Sequence, residues 1–197
     1  MHSKNMMTFW DEDKRKIYEQ AMALVTDKIR EADSTLLEKE GSHIIRFVET
    51  RLKSEDSIAG KLKRKNRPYE PEHIENYLND LAGVRAICFD KRQVYELVDI
   101  IRKCEEFQVL KEKDYIKKPK DNGYQSYHMI LQLADVKVEL QIRTILMDAW
   151  SSLETILVYK KDVVIPEELK ENIQKFSKWS RKMDRLVEQM LEKDSSK

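Results

Sequence analysis

Cysteine is scarce: Cys88 and Cys104 are the only two in 197 residues, and no Cys-x-x-Cys or Cys/His spacing suited to zinc surrounds them. Both fall inside apolar patterns and read as core thiols. No apolar run approaches the roughly 20 residues that cross a bilayer, and Met1 to Trp10 is too polar for a signal peptide. A cytoplasmic, reducing location with no membrane partner is expected. An excess of one charge is missing too, because 37 basic and 36 acidic side chains leave a formal charge of +1. Bulk charge therefore selects no partner. Glycine and proline number four each, and no internal repeat or low-complexity linker divides the chain. One domain over 1–197 is expected, long enough for a substantial core.

Locally the charge is uneven. Arg51, Lys53, Lys61, Lys63, Arg64, Lys65 and Arg67 face only Glu55 and Asp56 within their segment, and Lys111, Lys113, Lys117, Lys118 and Lys120 form a second group. Two separated cationic segments suit a polyanion such as a nucleoside polyphosphate or nucleic acid, and equally a solvated surface.

Periodicity divides the chain into helices and strands. From Asp11 to about Glu40, Ile17, Ala21, Leu24, Val25, Ile29, Ala32 and Leu36 recur at threes and fours, and Gly41 ends that helix. Ile44 to Leu52 reads as a strand, and Ser54 then caps a helix over about 55–64 that Arg67-Pro68 closes. A short helix from Pro71 to about Leu78 precedes a compact strand, Gly83 to Phe89, interrupted by Arg85. Helix signals return over 93–105. Tyr127 to Leu133 and Val136 to Thr144 form two strands joined by Ala134-Asp135, short enough for a hairpin. Helical spacing resumes over 145–159, and Pro166 starts a last helix to about 192 with a stripe of Leu169, Ile173, Phe176, Trp179, Met183, Leu186 and Met190. That stripe needs a partner, either the first helix or another subunit. The order predicts an α/β fold, a mixed sheet flanked by helices around a core of about 44–160.

Several side chains carry chemistry. Val136, Val138, Leu140 and Ile142 alternate with Lys137, Glu139, Gln141 and Arg143, so one face of that strand is apolar and the other reactive. Asp80 precedes the strand that carries Arg85, and a shared sheet can bring Asp80 and Glu139 together as paired carboxylates of the kind that hold Mg²⁺ against phosphates. Read alone, they are equally a loop aspartate and a strand residue facing water. Arg51, Lys53, Lys61 and Lys63 can grip a polyphosphate, and Arg51 and Arg85 have flat guanidinium groups that stack on bases. Tyr124, after the Asn122-Gly123 turn, is either a lid on the core or a stacking platform on an exposed-looking turn. His128 has no nearby nucleophile and reads as structural.

Taken in order, RLKSEDSIAGKLKR (51–64), NDLAGVRAICF (79–89), KDYIKKPKDNGYQSYH (113–128), VELQIRT (138–144) and MDAWSSLE (147–154) resemble the synthetase domain of RelA/SpoT-type alarmone synthetases. With no His-Asp dipeptide among the four histidines, the chain is similar to the small members that lack a hydrolase half. The resemblance implies a nucleotidyltransferase-like fold and transfer of the β,γ-diphosphate of ATP to the 3′-hydroxyl of GDP or GTP. Asp80 and Glu139 would then bind Mg²⁺, and Glu139 would help deprotonate the hydroxyl. Arg51 and Arg85 would sandwich adenine, with Lys53, Ser57, Lys61 and Lys63 around the ATP phosphates. Tyr124 would stack on guanine among Lys113, Lys120, Asn122 and His128, and Gln141, Arg143 and Glu154 would complete the polar face.

Two departures bear on the acceptor: Thr155 stands where the family commonly has histidine, and Asp121 where proline is common. Two other readings follow, a relative that pyrophosphorylates the 3′ end of tRNA and a non-catalytic RNA-binding regulator. A homotetramer built partly through terminal helices is also implied.

Overall fold

Helix ends fall where a short polar side chain can catch a free N–H. In the computed structural model, which describes residues 8–159 and 165–194, α1 (Glu12–Glu40) starts on Asp11, whose carboxylate accepts from the Lys14 N–H at 2.7 Å. It ends on Gly41 at φ 72°, a left-handed position that glycine adopts without strain. Ser54 caps α2 (Glu55–Arg64), Asp90 and Gln93 form a reciprocal capping box on α4 (Lys91–Ile101), and Thr144 caps α5 (Ile145–Glu154). The short α3 (Ile74–Tyr77) has no side-chain cap. A π-helical turn, Thr155–Tyr159, follows α5, and α6 (Glu167–Asp194) closes the chain. Most of the Met1–Trp10 segment and the last three residues lie outside the described residues.

The strands are β1 (Ile45–Leu52), β2 (Ala82–Cys88), β3 (Gln108–Asp114), β4 (Tyr127–Leu133) and β5 (Val136–Thr144). They form one sheet in the order β1-β2-β5-β4-β3, with β2 and β5 parallel and the other neighbours antiparallel. The expected β4–β5 hairpin is present, turned through Ala134 at φ 48°. The sequence reading omitted β3, because its Gln-Val-Leu-Lys-Glu-Lys-Asp run lacks clean alternation. It is an edge strand with a register shift between Val109 and Lys111.

Alternation decides what each side of the sheet touches. Val84, Ala86, Met129, Leu131, Val138, Leu140 and Ile142 join Val25, Ile29 and Ala32 of α1 and Val94, Leu97 and Ile101 of α4 in the core. The residues between them form the opposite, polar face. At the β1–α2 corner, the Trp10 indole donates to the Lys53 carbonyl at 2.7 Å and its N–H to Glu55 at 2.9 Å.

The last helix corrects one expectation. α6 packs on α5 and touches α4, so α1 is not the partner of its stripe. Its inward seam is Ile173, Ser177, Ser180 and Asp184, while Trp179, Met183, Leu186 and Met190 are 52–62% exposed. Small serines let α6 come close: the Ser180 hydroxyl donates to the Leu146 carbonyl at 3.2 Å, and the Trp150 indole donates to the Ile173 carbonyl at 3.0 Å. Burial pushes the Asp184 carboxyl up to about 6.

Candidate active site

The polar face is built by register. Glu49 lies opposite Arg85, Arg51 opposite Gly83, and Arg85 and Gly83 lie beside Gln141 and Glu139 on the parallel strand. On the far side of β5, Gln141 faces His128 and Glu139 faces Ile130, and His128 faces Lys113 of β3. Side chains separated by more than eighty residues thus share one surface.

Asp80 sits at the mouth of β2. Its Oδ2 receives Lys61 Nζ at 2.6 Å and Lys53 Nζ at 3.0 Å. Burial alone would raise its carboxyl, but the two ammonium groups outweigh that and hold it below the ordinary range. Its other oxygen, Oδ1, is buried with no hydrogen-bond partner.

Glu139 belongs to a closed ring of hydrogen bonds. A carboxylate only accepts, so His128 Nδ1 donates to Glu139 Oε1 at 3.3 Å, while Gln141 donates to Glu139 Oε2 at 2.7 Å. Arg143 Nη2 donates to Gln141 Oε1 at 2.5 Å and to the Tyr124 hydroxyl at 3.1 Å. That hydroxyl is hydrogen-bonded to His128 Nε2 at 2.7 Å, completing the circuit. Burial pushes the Glu139 carboxyl up, yet His128 and Gln141 together bring it below its usual value. Glu139 is therefore ionised at neutral pH, a good cation ligand and a weak base.

Two cavities open on this face. One, of about 480 Å³, is lined by Glu49, Thr50, Arg51, Val84, Arg85 and Gln141 together with Asp80, Gly83 and Glu139. The other, of about 290 Å³, takes its walls from Lys61, Lys65, Lys111, Lys113, Tyr115, Lys120 and His128, again with Asp80 and Glu139. The two carboxylates are common to both. The first cavity has guanidinium walls that suit an aromatic base; the second has lysine walls that suit phosphate.

The donor set fits a hard divalent cation. Asp80 offers an unpartnered oxygen, Glu139 a second carboxylate, and each borders the same two cavities. Among the described residues no cluster of three or more His, Cys, Asp or Glu side chains is arranged for a metal. The protein would thus supply two carboxylates and leave the remaining positions to phosphate oxygens and water, the usual manner of Mg²⁺ beside a nucleotide.

Not every expected site residue reaches the cavities. Ser57, on the first turn of α2, accepts from the Ser54 hydroxyl at 2.9 Å and borders neither. Lys63 is exposed and lies about 200° around α2 from Lys61. Asn122 donates to Glu154 at 3.3 Å, away from both cavities, and its own side chain accepts the Tyr124 N–H at 3.2 Å.

Tyr124 is not exposed on its turn. Its ring packs edge-on against Tyr115, His128 and Trp150, with Lys120 Nζ 4.6 Å from its centroid, and burial raises its phenol. Arg143, 1% exposed, lies behind it rather than in a cavity. The turn itself is tight. Gly123 has φ 93°, and a Cβ there would lie 2.7 Å from the Ser177 Cβ of α6, whose hydroxyl donates to the Gly123 carbonyl.

Sequence reasoning missed Tyr115, Glu49 and Asp148. Tyr115 stands next to the lysine cluster, and that aromatic-basic juxtaposition was the available signal. Glu49 and Asp148 gave none, since only register and the start of α5 bring them to Arg85.

Comparison with known proteins gives a consistent result. A family model described as the region found in RelA / SpoT proteins matches residues 50–163. YwaC, a GTP pyrophosphokinase of Bacillus subtilis, is 35% identical over 152 residues, covering 73% of this chain and 72% of that protein. YjbM, a GTP pyrophosphokinase of the same organism, is 35% identical over 178 residues, covering 85% of this chain and 82% of its own. The crystal structure of small alarmone synthetase 1 from Bacillus subtilis bound to its product pppGpp aligns with a TM-score of 0.79 at 31% identity, covering 91% of this chain and 97% of that one.

Proposed function

This chain belongs to the RelA/SpoT family, and from that premise we propose that it transfers the β,γ-diphosphate of ATP to the 3′-hydroxyl of GDP or GTP, making (p)ppGpp and AMP. The observation that supports the residue assignment is that two cavities of different chemistry share Asp80 and Glu139. A donor base lies between Arg51 and Arg85, with its phosphates running toward Lys53 and Lys61, and with Ser57 on the first turn of α2 and Lys63 on its last turn. The acceptor lies among Lys113, Lys120, Tyr124 and His128, with Arg143 buried behind Tyr124, Gln141 beside Glu139 on the wall of the first cavity, and Asn122 and Glu154 paired away from both cavities.

In the reaction the acceptor 3′-oxygen bonds to the β-phosphorus of ATP, the bond from that phosphorus to the α–β bridging oxygen breaks, and AMP departs. Such a transfer asks a protein mainly for alignment and charge neutralisation. Lys53 and Lys61 offset the phosphate charge, and Glu139 accepts a hydrogen bond from the attacking hydroxyl and takes its proton as the oxygen bonds to phosphorus. Mg²⁺ held by Asp80 and Glu139 would add charge neutralisation and make that hydroxyl easier to deprotonate. His128, bonded to both Tyr124 and Glu139, keeps the carboxylate oriented.

The acceptor is tested by incubating the protein with γ-labelled ATP and GDP, GTP or deacylated tRNA. Label should move to GDP or GTP with one AMP released per transfer. Label on RNA instead would establish the tRNA 3′-end reading, and absence of both transfer and AMP would leave an RNA-binding regulator.

The protein also assembles as a homotetramer in this reading. Support comes from the exposed Trp179, Met183, Leu186 and Met190 of α6, an apolar face larger than a solvated helix needs. Sedimentation showing a concentration-independent 23.5 kDa species would exclude it. A cytoplasmic location accords with the free thiols Cys88 and Cys104, and with no helix among the described residues long and apolar enough to cross a membrane. Recovery in a membrane or secreted fraction would contradict it.

A further inference from the structure

Asp148 lies in the first turn of α5 and borders neither cavity, yet one of its oxygens meets both an arginine that lines the first cavity and the arginine behind Tyr124. On one side Oδ1 is 3.5 Å from Nη1 of Arg85, which lines the larger cavity. On the other side the same oxygen accepts from Nη1 of Arg143 at 3.2 Å. Arg143 reaches onward to the Tyr124 hydroxyl at 3.1 Å, and its guanidinium carbon is 5.5 Å from the centroid of the Tyr124 ring. Four side chains, Arg85, Asp148, Arg143 and Tyr124, thus form a continuous path from the donor side to the acceptor side.

The electrostatics of this path set a competition. Two guanidinium groups converge on one carboxylate oxygen, and one of them is 1% exposed with its Nε buried and unpartnered. Neither cation is well solvated there, so how Asp148 divides its charge between them matters to both. Arg85 has a second anion, Glu49, at 3.1 Å, whereas Asp148 is the only carboxylate in an ion pair with Arg143 among the described residues. When a base draws the Arg85 guanidinium onto its face, Asp148 is left to Arg143. The tighter pair fixes Arg143, and Arg143 fixes the plane of Tyr124.

We propose that Asp148 is a positioning residue that couples the two nucleotide sites, so that occupation of the Arg51/Arg85 cavity tightens binding at the Tyr124 side and the reverse. The reciprocity is required, because a coupling free energy between two ligands acts equally on each. The inference rests on the donor and acceptor assignment given under the proposed function.

The test measures GDP binding by calorimetry with and without saturating AMPCPP, a donor analogue whose α–β bridge cannot be cleaved. Unsubstituted protein should bind GDP about tenfold more tightly with the analogue present, equivalent to about 1.4 kcal/mol of coupling. In Asp148→Asn that ratio should fall below about twofold, while each nucleotide alone binds within about threefold of the unsubstituted value. Asp148→Glu, which keeps the charge, should recover most of the coupling. Undiminished coupling in Asp148→Asn, or a parallel loss of both single affinities, would overturn the proposal, as would unsubstituted protein that binds both nucleotides without coupling. Should Asp148→Asn fail to fold, Arg143→Lys keeps the charge but cannot hold Asp148 and Tyr124 at once. It must lose the same coupling, and retained coupling overturns the proposal. If unsubstituted protein binds neither nucleotide, the donor and acceptor assignment itself fails.

Discussion

Purified Asp80→Asn and Glu139→Gln proteins should fold and yet lose diphosphate transfer by at least about a thousandfold, beyond the usual cost of removing one group that stabilises transition-state charge. Each substitution is isosteric and removes a charge that borders both cavities. In Asp80→Asn the ammonium groups of Lys53 and Lys61 lose their shared anion, but both lie near an open cavity that water can enter. Glu139→Gln retains an oxygen for His128 while its new amide meets the Gln141 amide, a mismatch that costs about 1–2 kcal/mol. Both variants should therefore show a cooperative melt within several degrees of the parent. Labelled-ATP transfer at unchanged Mg²⁺ gives the readout. Preserved transfer in both proteins would refute the assignment.

Tyr124→Ala should raise the KM for the acceptor nucleotide about 10- to 100-fold while the KM for ATP changes less than about threefold, because stacking of a base on an aromatic ring contributes about 1–3 kcal/mol. In the structure Lys120 lies over the Tyr124 ring, and the acceptor base takes that place in the proposed complex. Tyr124 also holds His128 and Arg143 through its hydroxyl, so truncation alone mixes two effects. Tyr124→Phe separates them. It keeps the ring, and its acceptor KM should stay within a few-fold of the parent while kcat falls as the ring of hydrogen bonds around Glu139 opens. An unchanged acceptor KM in Tyr124→Ala, with the fold verified by circular dichroism, would remove Tyr124 from the acceptor site.

Much of this architecture is legible in the residues, for local reasons. The Ser54 cap, the Gly41 stop and the two-residue β4–β5 connection are each set by side chains within four positions. Alternation in β5 put Glu139, Gln141 and Arg143 on one face, and the structure finds all three in a single hydrogen-bond circuit. The edge strand β3 escaped notice because an exposed edge leaves its side chains little to bury, so its composition carries no clear period.

By itself the sequence determined the succession of helices and strands apart from β3, the polar face of β5 and the basic segments that surround it. Only the tertiary structure decided which residues meet. The apolar stripe of α6 marked the side to be buried, yet the chain turns Ser177, Ser180 and Asp184 inward and leaves Trp179 and Met190 outside. The reason is that a helix face is chosen by the surface it meets. Here that surface offers the carbonyls of Gly123 and Leu146 to serine hydroxyls at close range. The same holds for Asp148, whose two arginine partners come from β2 and β5 and become neighbours only when those strands pair in parallel.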